Sequence, residues 1–470
     1  MDFPLPEDTI CAVATPVGEG GIGIIRISGP EAPAVAGRLF RPRKKGVFPL
    51  KSHRLYLGWI HDPDDGQPVD EVLLSCMAAP HTYTREDIVE INCHSGYAVL
   101  NRILEIVLKS GIRLAEPGEF TRRAFLNGRL DLSQAEAVID IIRSRSHQSL
   151  LIANRHMQGA VREMVEQWRG HLLDIRSNVE AAIDFSEDLD DQEGDIPSQA
   201  DFLCTRLRSE LLSPIEQTIR HYCAGRILRE GLTIVLAGKP NVGKSSLLNA
   251  LLGKDRAIVT PFPGTTRDVV EDSFILSGVQ VRILDTAGIR HEPDEIESFG
   301  IERTLHSVSQ ADVVIWVIDG SRPITSEDDS VFHAVSRREL LVVLNKSDLP
   351  CHVSELDAKQ RFGLPSAPVR LSALNSTDME KLRTLLTERY LRQPIEQSEG
   401  TIVLNLRHKG CLEDALQSLC SAEELLRGGA YGELVSFELA QASRKLDSIL
   451  GWDGDSELLD RIFSRFCIGK

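Results

Sequence analysis

The chain has no apolar run approaching the ~20 residues that a bilayer-spanning helix needs, so no membrane span is expected. Its nine cysteines are scattered singly, without a Cys-x-x-Cys pair. That argues against a zinc site and against a disulfide framework; most thiols are expected to be reduced and many buried. Positive charge is in short supply. The 53 lysines and arginines face 69 aspartates and glutamates, a formal net charge of -16. Such a chain repels nucleic acid on average, so any RNA contact needs a local basic patch or a partner's surface. Met1 to Ile10 carries acids and prolines rather than a basic region followed by an apolar one. A secretory signal is therefore not expected, and the cytoplasm is the default location. No internal repeat and no long low-complexity tract is present.

What is there is an ordinary globular composition, 42% hydrophobic and 26% charged, in a chain too long for one core. About three domains are expected. Residues 1–118 carry short β-rich runs, Ile22 to Ile27 and Ile88 to Ile91, broken by glycine and proline, with a helix expected over Ala98 to Leu108. They read as a small α+β domain. Residues 119–230 read as helical. Met157, Val161, Met164, Trp168, Leu172, Ile175, Val179 and Ile183 recur at steps of three and four, which places them on one face of a long helix as bundle core. The acidic run Glu187 to Asp195 reads as a solvated loop.

Residues 231–392 alternate β-branched runs with helical patterns, the signature of a parallel sheet. The runs are Thr233 to Leu236, Val281 to Leu284, Val313 to Ile318 and Leu341 to Leu344. Residues 393–470 are helical again. Helical sequence on both sides suggests that the α/β domain is inserted into one helical domain.

The inserted stretch carries a nucleotide signature. Gly238-Lys239-Pro240-Asn241-Val242-Gly243-Lys244-Ser245 follows a strand and precedes the helical run Ser246 to Leu252. This is the strand–loop–helix setting of a P-loop, in which backbone N–H groups wrap phosphates, Lys244 reaches the β and γ phosphates and Ser245 ligates Mg²⁺. Asp285-Thr286-Ala287-Gly288 ends one apolar strand as a D-x-x-G, and Asn345-Lys346-Ser347-Asp348 ends another. The Asp348 carboxylate can accept from guanine N1–H and N2–H₂, a donor pair that adenine lacks. Ser372-Ala373-Leu374 can close over the base. Between the first two elements, Gly264-Thr265-Thr266-Arg267-Asp268 offers Thr266 as a second Mg²⁺ ligand from a switch loop. The P-loop, the D-x-x-G, the Asn-Lys-Ser-Asp and the Ser-Ala-Leu in this order predict a GTP-hydrolysing switch domain of the P-loop, Ras-like class.

Ras-type switches place a water-orienting glutamine directly after D-x-x-G; here that residue is Ile289, which does nothing to water. Two residues are candidates for the missing chemistry. Asn241 can help ligate a monovalent cation such as K⁺ at the β–γ bridge, with carbonyls from Thr260, Pro261, Phe262, Pro263 and Gly264 completing its shell. Glu297 can polarise water through a bridging water. For each, the alternative by chemistry alone is a plain surface side chain. His94 and His352 each follow a cysteine, but a metal role is not expected of them.

Longer strings then point to a family. They are Asp8-Thr9-Ile10, Ala14-Thr15-Pro16, Gly20-Gly21-Ile22-Gly23-Ile24-Ile25-Arg26-Ile27-Ser28-Gly29, Pro117-Gly118-Glu119-Phe120-Thr121-Arg122-Arg123-Ala124-Phe125-Leu126-Asn127, Leu130-Asp131-Leu132 and the terminal Phe466-Cys467-Ile468-Gly469-Lys470. With the GTPase elements, the chain resembles the MnmE (TrmE) family of tRNA-modification GTPases over nearly its whole length. The resemblance implies a multidomain fold: an N-terminal α+β folate-binding and dimerisation domain, and a helical domain carrying the inserted GTPase. It implies a homodimer that joins MnmG (GidA), an FAD-dependent partner, in a heterotetramer. The pair adds an aminomethyl or carboxymethylaminomethyl group to C5 of the wobble uridine of certain tRNAs, with a tetrahydrofolate (5-formyl or methylene) supplying the one-carbon unit. GTP hydrolysis would require Mg²⁺ and be stimulated by K⁺.

By the same resemblance, Asn241, Thr260, Phe262 and Thr265 fall on K⁺ positions, Ser245 and Thr266 on Mg²⁺ ligands, and Glu297 on the water-orienting acid. With Lys244 and Thr266, Glu297 makes up the expected catalytic set. Val242, Gly243, Ser246 and Ala373 complete the expected nucleotide contacts. Arg26, Glu90, Arg129 and Lys470 fall on folate contacts; the family often has lysine at the Arg129 position, and arginine still pairs with a carboxylate. Cys467 stands at the family's C-terminal cysteine, either as a chemical thiol or as a reduced thiol on a tail. The GTPase elements alone are equally compatible with a regulatory switch of the Era type acting in ribosome assembly. The N-terminal strings and the tail favour the modification enzyme.

Overall fold

The computed structural model describes residues 8–16, 18, 20–44, 46, 48–186, 196–253, 272–285, 307–398, 402–429 and 432–470. The first sheet has seven strands: β1 (Ile10–Val13), β2 (Gly23–Ser28), β3 (Phe40–Pro42), β4 (Arg54–His61), β5 (Pro68–Met77), β6 (Ile88–Cys93) and β7 (Arg113–Leu114), ordered β3-β4-β5-β6-β2-β1-β7. Alternation dictates which side faces inward. Val72, Leu74 and Cys76 of β5 point to a core covered by the helices Ala32–Leu39 and Tyr97–Lys109, through Val35, Leu39, Leu100 and Ile103. The opposite face leaves Leu55, Leu57, Trp59 and Leu73 exposed.

The helix Glu119–Leu126 begins where the sequence places the start of the helical unit. It nevertheless packs on this first sheet, with Phe120 against Ile10, Ala12 and Ala115. Its fully buried Arg123 bonds to Asp8, Glu86 and Glu119.

The helical part is built from both arms of the chain. Val161, Trp168 and Leu172 share one core with Leu412, Leu419, Leu439 and Leu446, so the α/β domain is an insertion, as expected. One element of the helical stripe needs correction. Met157 ends the helix His147–Met157, and the long helix starts afresh at Ala160. Gly159, at φ +99°, turns the chain between them with a backbone that favours glycine. The stripe inside the long helix runs Val161, Val165, Trp168, Leu172, Ile175 and Val179, all buried, with Met164 on its flank. The side chain of Ile183 and the run Glu187 to Asp195 lie outside the described residues.

The inserted sheet has six strands: β8 (Leu232–Ala237), β9 (Asp272–Leu276), β10 (Val279–Asp285), β11 (Val313–Asp319), β12 (Leu340–Asn345) and β13 (Val369–Arg370), ordered β13-β12-β11-β8-β10-β9. All pairs are parallel except β9–β10. Strands β8 and β11 are buried throughout, which is why they read as continuous apolar runs without alternation. Strand β9 was not expected. It forms a hairpin with β10 around Ser277 and Gly278, both at positive φ (51° and 79°), as a tight primed turn requires. The run Ser376–Leu386 continues through a wide turn at Thr387–Leu391 into Arg392–Ser398 without a break. The helix thereby crosses residue 392.

The insertion is seated firmly. Ile152, Leu228 and Val403, from the helical part and its connections, enter the same core as Leu232, Phe274 and Val279. The hairpin tip rests on the helix His147–Met157, where the Gln148 amide donates to the Gly278 carbonyl at 3.4 Å. Beneath this joint lies a buried polar network. Glu136 accepts from Arg407 Nε (2.9 Å), Arg407 Nη2 (2.8 Å) and Asn405 Nδ2 (2.8 Å), with His408 Nε2 at 3.0 Å. Burial pushes the Glu136 carboxyl up, but Arg407 and His408 outweigh it and hold it far below the carboxylate range.

Candidate functional site

The loop after β8 is shaped by close approach. Gly238 (φ +152°) sits so near β11 that a Cβ would run into the Val317 carbonyl, and Gly243 (φ +97°) so near β12 that a Cβ would meet the Asn345 side chain. Asn241 is also held at positive φ, +63°. The helix Lys244–Leu252 begins at the end of this loop, so Lys244, Ser245 and Ser246 occupy its first turn. The first-turn amides and the positive helix end make a ready anion cradle. The Lys244 ammonium folds back on the loop, donating to the carbonyls of Gly238 (2.6 Å) and Lys239 (2.9 Å). The half-exposed Lys244 and the exposed Ser245 lie at the surface of the loop. Lys239 points the other way and locks the loop to the helix Ser326–Val335 through Asp328 (2.6 Å) and Thr325 (3.0 Å).

The end of β12 is bound to this loop. Asn345, almost wholly buried, donates from Nδ2 to the Val242 carbonyl (2.8 Å) and accepts through Oδ1 from the Ala373 amide (3.1 Å). Lys346 donates to the Asn241 carbonyl (2.8 Å) and to Asp319 (2.6 Å). Burial pushes the Asp319 carboxyl up, yet hydrogen bonds from Lys346 and from the Ser321 hydroxyl and amide hold it below its ordinary value. The Ser372 amide donates to Asp378 (3.0 Å). Asp348 is left exposed beside this braced segment. The bracing by Asn345 and Lys346 was not anticipated, since the sequence motif marks them only as base-contact positions.

Asp285 ends β10, level with Leu236 of β8, so the D-x-x-G begins beside the phosphate loop. Thr260, Pro261, Phe262, Pro263, Gly264, Thr265, Thr266, Thr286, Ala287, Gly288, Ile289 and Glu297 lie outside the described residues, as does the side chain of Asp285.

A second charged site lies on the first sheet. Arg26 of β2 stands opposite Glu90 of β6, and its Nε donates to Glu90 at 2.8 Å. The C-terminal tail returns to the same place: Arg26 Nη1 donates to the Gly469 carbonyl at 3.2 Å. Gly469, at φ +93°, lies against Val13 and Ala14 without room for a Cβ. Burial pushes the Lys470 ammonium pKa down, and the nearby Arg26 pushes the same way. Two cations, Arg26 and Lys470, thus gather beside the Glu90 carboxylate. Arg129 joins them through Tyr83, whose ring lies under both guanidiniums (4.7 Å from Arg129, 5.8 Å from Arg26). Tyr83 had no signal beyond being one aromatic residue; its hydroxyl bonds Thr121 at 2.9 Å. Cys467 is exposed, and its carbonyl accepts from the Gly118 amide at 3.4 Å. His94 is turned away into a bond with Asp70 at 2.8 Å, and no cluster able to hold a metal through His, Cys, Asp or Glu occurs among the described residues.

A P-loop at the end of a central parallel strand, with a braced Asn-Lys-x-Asp segment beside it, defines a P-loop GTPase domain, carried here by a helical domain behind a separate α+β domain. Comparison with known proteins narrows this. The family model described as the MnmE helical domain matches residues 132–467, and the one described as the GTP-binding protein TrmE N-terminus matches residues 9–129. The chain belongs to the MnmE family of tRNA modification GTPases. It is 61% identical over 464 residues to the "tRNA modification GTPase MnmE" of Syntrophobacter fumaroxidans, covering 99% of this chain and 98% of that one. The protein of the same name from Carboxydothermus hydrogenoformans is 46% identical over 99% of this chain and 100% of its own length. Among solved structures, the G domain of the T. maritima FeoB iron transporter is 25% identical over 33% of this chain and 97% of its own, with a TM-score of 0.26.

Proposed function

We propose that this chain is a K⁺-stimulated GTP hydrolase that acts in tRNA modification as a homodimer, together with the FAD protein MnmG. The pair would install the aminomethyl-type group at C5 of the wobble uridine from a tetrahydrofolate one-carbon unit. The observation that carries the reading is the convergence of Arg26, Glu90 and Lys470: the tail returns across the whole chain to complete a charged pocket, in a protein that also holds a braced P-loop.

In the GTPase site, Lys244 and the amides of residues 241–246 hold phosphate oxygens. Asp348 accepts from the guanine edge, and Asn345 and Lys346 keep that edge in register with the phosphate loop. Ser245 and Thr266 would hold Mg²⁺, while Asn241, Thr260, Phe262 and Thr265 would hold K⁺; both ions, when bound, supply positive charge against the phosphates. Glu297 orients the attacking water, the task that Ile289 cannot perform. In the other site, Arg26, Arg129 and Lys470 would bind folate carboxylate and carbonyl oxygens, Glu90 its ring N–H groups, and Tyr83 one wall.

The exposed apolar face of the first sheet supports dimerisation. Leu57 stands opposite Leu73, and Leu55 opposite Ser75, which in turn lies beside Glu90. A contiguous apolar face of this kind on a soluble fold marks an interaction surface, and this one adjoins the folate pocket. The chain resides in the cytoplasm on this reading. Mass spectrometry of tRNA nucleosides from a deletion strain tests the whole. Loss of the C5 modification, restored by the wild-type gene, is expected, and unchanged wobble uridines overturn the reading.

A further inference from the structure

Two turns flank the place proposed for the guanine base. Asn345-Lys346-Ser347-Asp348 leaves the end of β12, and Ser372-Ala373-Leu374 follows β13, the strand paired with β12. Asn345 and Lys346 brace the first turn against the loop after β8. The second turn lies at the surface, with Leu374 82% exposed, and its shape needs an anchor of its own. The two turns also share a main-chain bond, from the Ser347 amide to the Leu371 carbonyl at 3.1 Å, so a shift of the second displaces Asp348, the residue next to Ser347.

Ser372 is the hub of the second turn. It is buried, so its main-chain groups need partners within the protein. Its carbonyl accepts from the Asn375 amide at 3.0 Å, and its hydroxyl accepts from the Leu374 amide at 3.2 Å. Its own amide donates to Asp378 Oδ2 at 3.0 Å. The same oxygen accepts from the Ser347 hydroxyl at 3.5 Å, the outer limit for such a bond. Asp378 lies in the first turn of the helix Ser376–Leu386, where an acid is commonplace. That helix is already capped by Asn375, whose Oδ1 accepts from the Thr377 amide at 2.9 Å. The other Asp378 oxygen faces Lys381 at 3.4 Å, and that lysine side chain is largely exposed, a pairing that contributes little. The bond to the Ser372 amide is therefore the one that distinguishes Asp378.

We infer that Asp378 is a positioning residue for guanine recognition: through the Ser372 amide it holds the Ser-Ala-Leu turn, and with it Asp348, in the arrangement that meets the base. The inference rests on the base-reading role proposed above for Asp348. Without this acceptor the buried Ser372 amide is orphaned, and the turn relaxes towards a form in which water reaches that amide. The form that fits guanine becomes a minority, and apparent affinity falls with its population. The effect is confined to the base end, because the Lys244 ammonium and the start of the helix Lys244–Leu252 are held by bonds of their own. KM for GTP therefore rises while the rate at saturation holds. Discrimination for the 2-amino group suffers as well, since Asp348 has to meet two donors of the base at once.

The test compares Asp378→Ala, Asp378→Asn and Lys381→Ala with the wild type as full-length proteins. GDP and IDP, which lacks the 2-amino group, compete at equilibrium against a fluorescent GDP analogue, and GTP turnover is measured alongside. The wild type is expected to prefer GDP by about tenfold or more. Asp378→Ala is expected to lose about tenfold in GDP affinity and to cut the GDP preference by about threefold or more. Its KM for GTP rises by a similar factor, with kcat within about twofold of wild type. Asp378→Asn keeps an oxygen for the Ser372 amide and is expected to restore affinity and preference to within about threefold, and Lys381→Ala behaves as the wild type. Should Asp378→Ala not fold, Asp378→Ser, which is at home near a helix N-terminus but too short to replace the carboxylate, carries the same test. A variant that keeps wild-type affinity and preference overturns the inference. So does one that weakens GDP and IDP alike, or an asparagine variant as weak as alanine; in each case the role of Asp348 is left standing. A wild type that binds GDP and IDP equally overturns the base-reading role and this inference with it.

Discussion

The side-chain amide of Asn345 donates to the main-chain carbonyl of Val242 at 2.8 Å, and so ties the Asn-Lys-x-Asp segment, proposed to read the base, to the loop after β8, proposed to hold the phosphates. Its other end accepts from Ala373. One buried side chain therefore sets the spacing of three loops of the proposed nucleotide site. Asn345→Ala leaves the Val242 carbonyl and the Ala373 amide unsatisfied, at about 1–3 kcal/mol. Affinity for a fluorescent GDP analogue is expected to fall at least tenfold, whereas Ser347→Ala, on the same turn, changes it little. Equal affinity for the two variants would show that the tie is incidental.

Asp348 stands exposed beside that braced segment. Asp348→Asn exchanges an acceptor for a donor, and preference is expected to move from GTP towards XTP. Competition binding with the two nucleotides measures it, and unaltered selectivity contradicts the base-reading role.

Ile289 follows the D-x-x-G where Ras-type switches place a water-orienting glutamine; on the proposed reading Glu297 takes that task, and K⁺ at Asn241 would supply positive charge to the phosphates. Turnover is expected to be at least tenfold faster in KCl than in NaCl, and Asn241→Ala is expected to abolish the difference. Equal rates in the two salts, with the variant silent, would remove K⁺ from the account.

His156 lies buried at the joint between helical and GTPase parts, near His408, Arg229 and Glu136. Burial above all, with His408 and Arg229 nearby, pushes its pKa from an ordinary 6.5 down to about 3. The unfolded chain binds this proton more readily than the folded one. Stability from His156 is therefore full above about pH 6.5 and falls by about 1.4 kcal/mol per pH unit below it, down to about pH 3. His408, also pushed down by burial, acts in the same direction. Urea unfolding is expected to show a loss of about 2 kcal/mol between pH 7.5 and pH 5 from His156 alone. His156→Gln should have a visibly shallower pH dependence; identical pH profiles would show that this histidine titrates freely in the fold.

The parts legible in the sequence are those whose physics is local. The apolar runs of β8, β11 and β12 followed from burial on both faces, and the P-loop from its glycines. What escaped depends on distant packing. The hairpin partner β9 has only a Ser-Gly turn to announce it. Met157 kept the helical step although Gly159 ends the run. The helix Glu119–Leu126 reads as helical but packs on the first sheet, because Phe120 and Arg123 find their partners near Ile10 and Asp8. Nothing in periodicity brings Gly469 to Arg26, 443 residues away; family resemblance alone had put the tail there, through Lys470.

The measurement that bears most directly on the account is equilibrium binding of nucleotides to the purified protein in the presence of Mg²⁺. Tight retention of GDP and GTP, no measurable ATP binding and loss of affinity in Lys244→Ala are predicted. A folded protein that retains no guanine nucleotide, or binds ATP equally well, contradicts it.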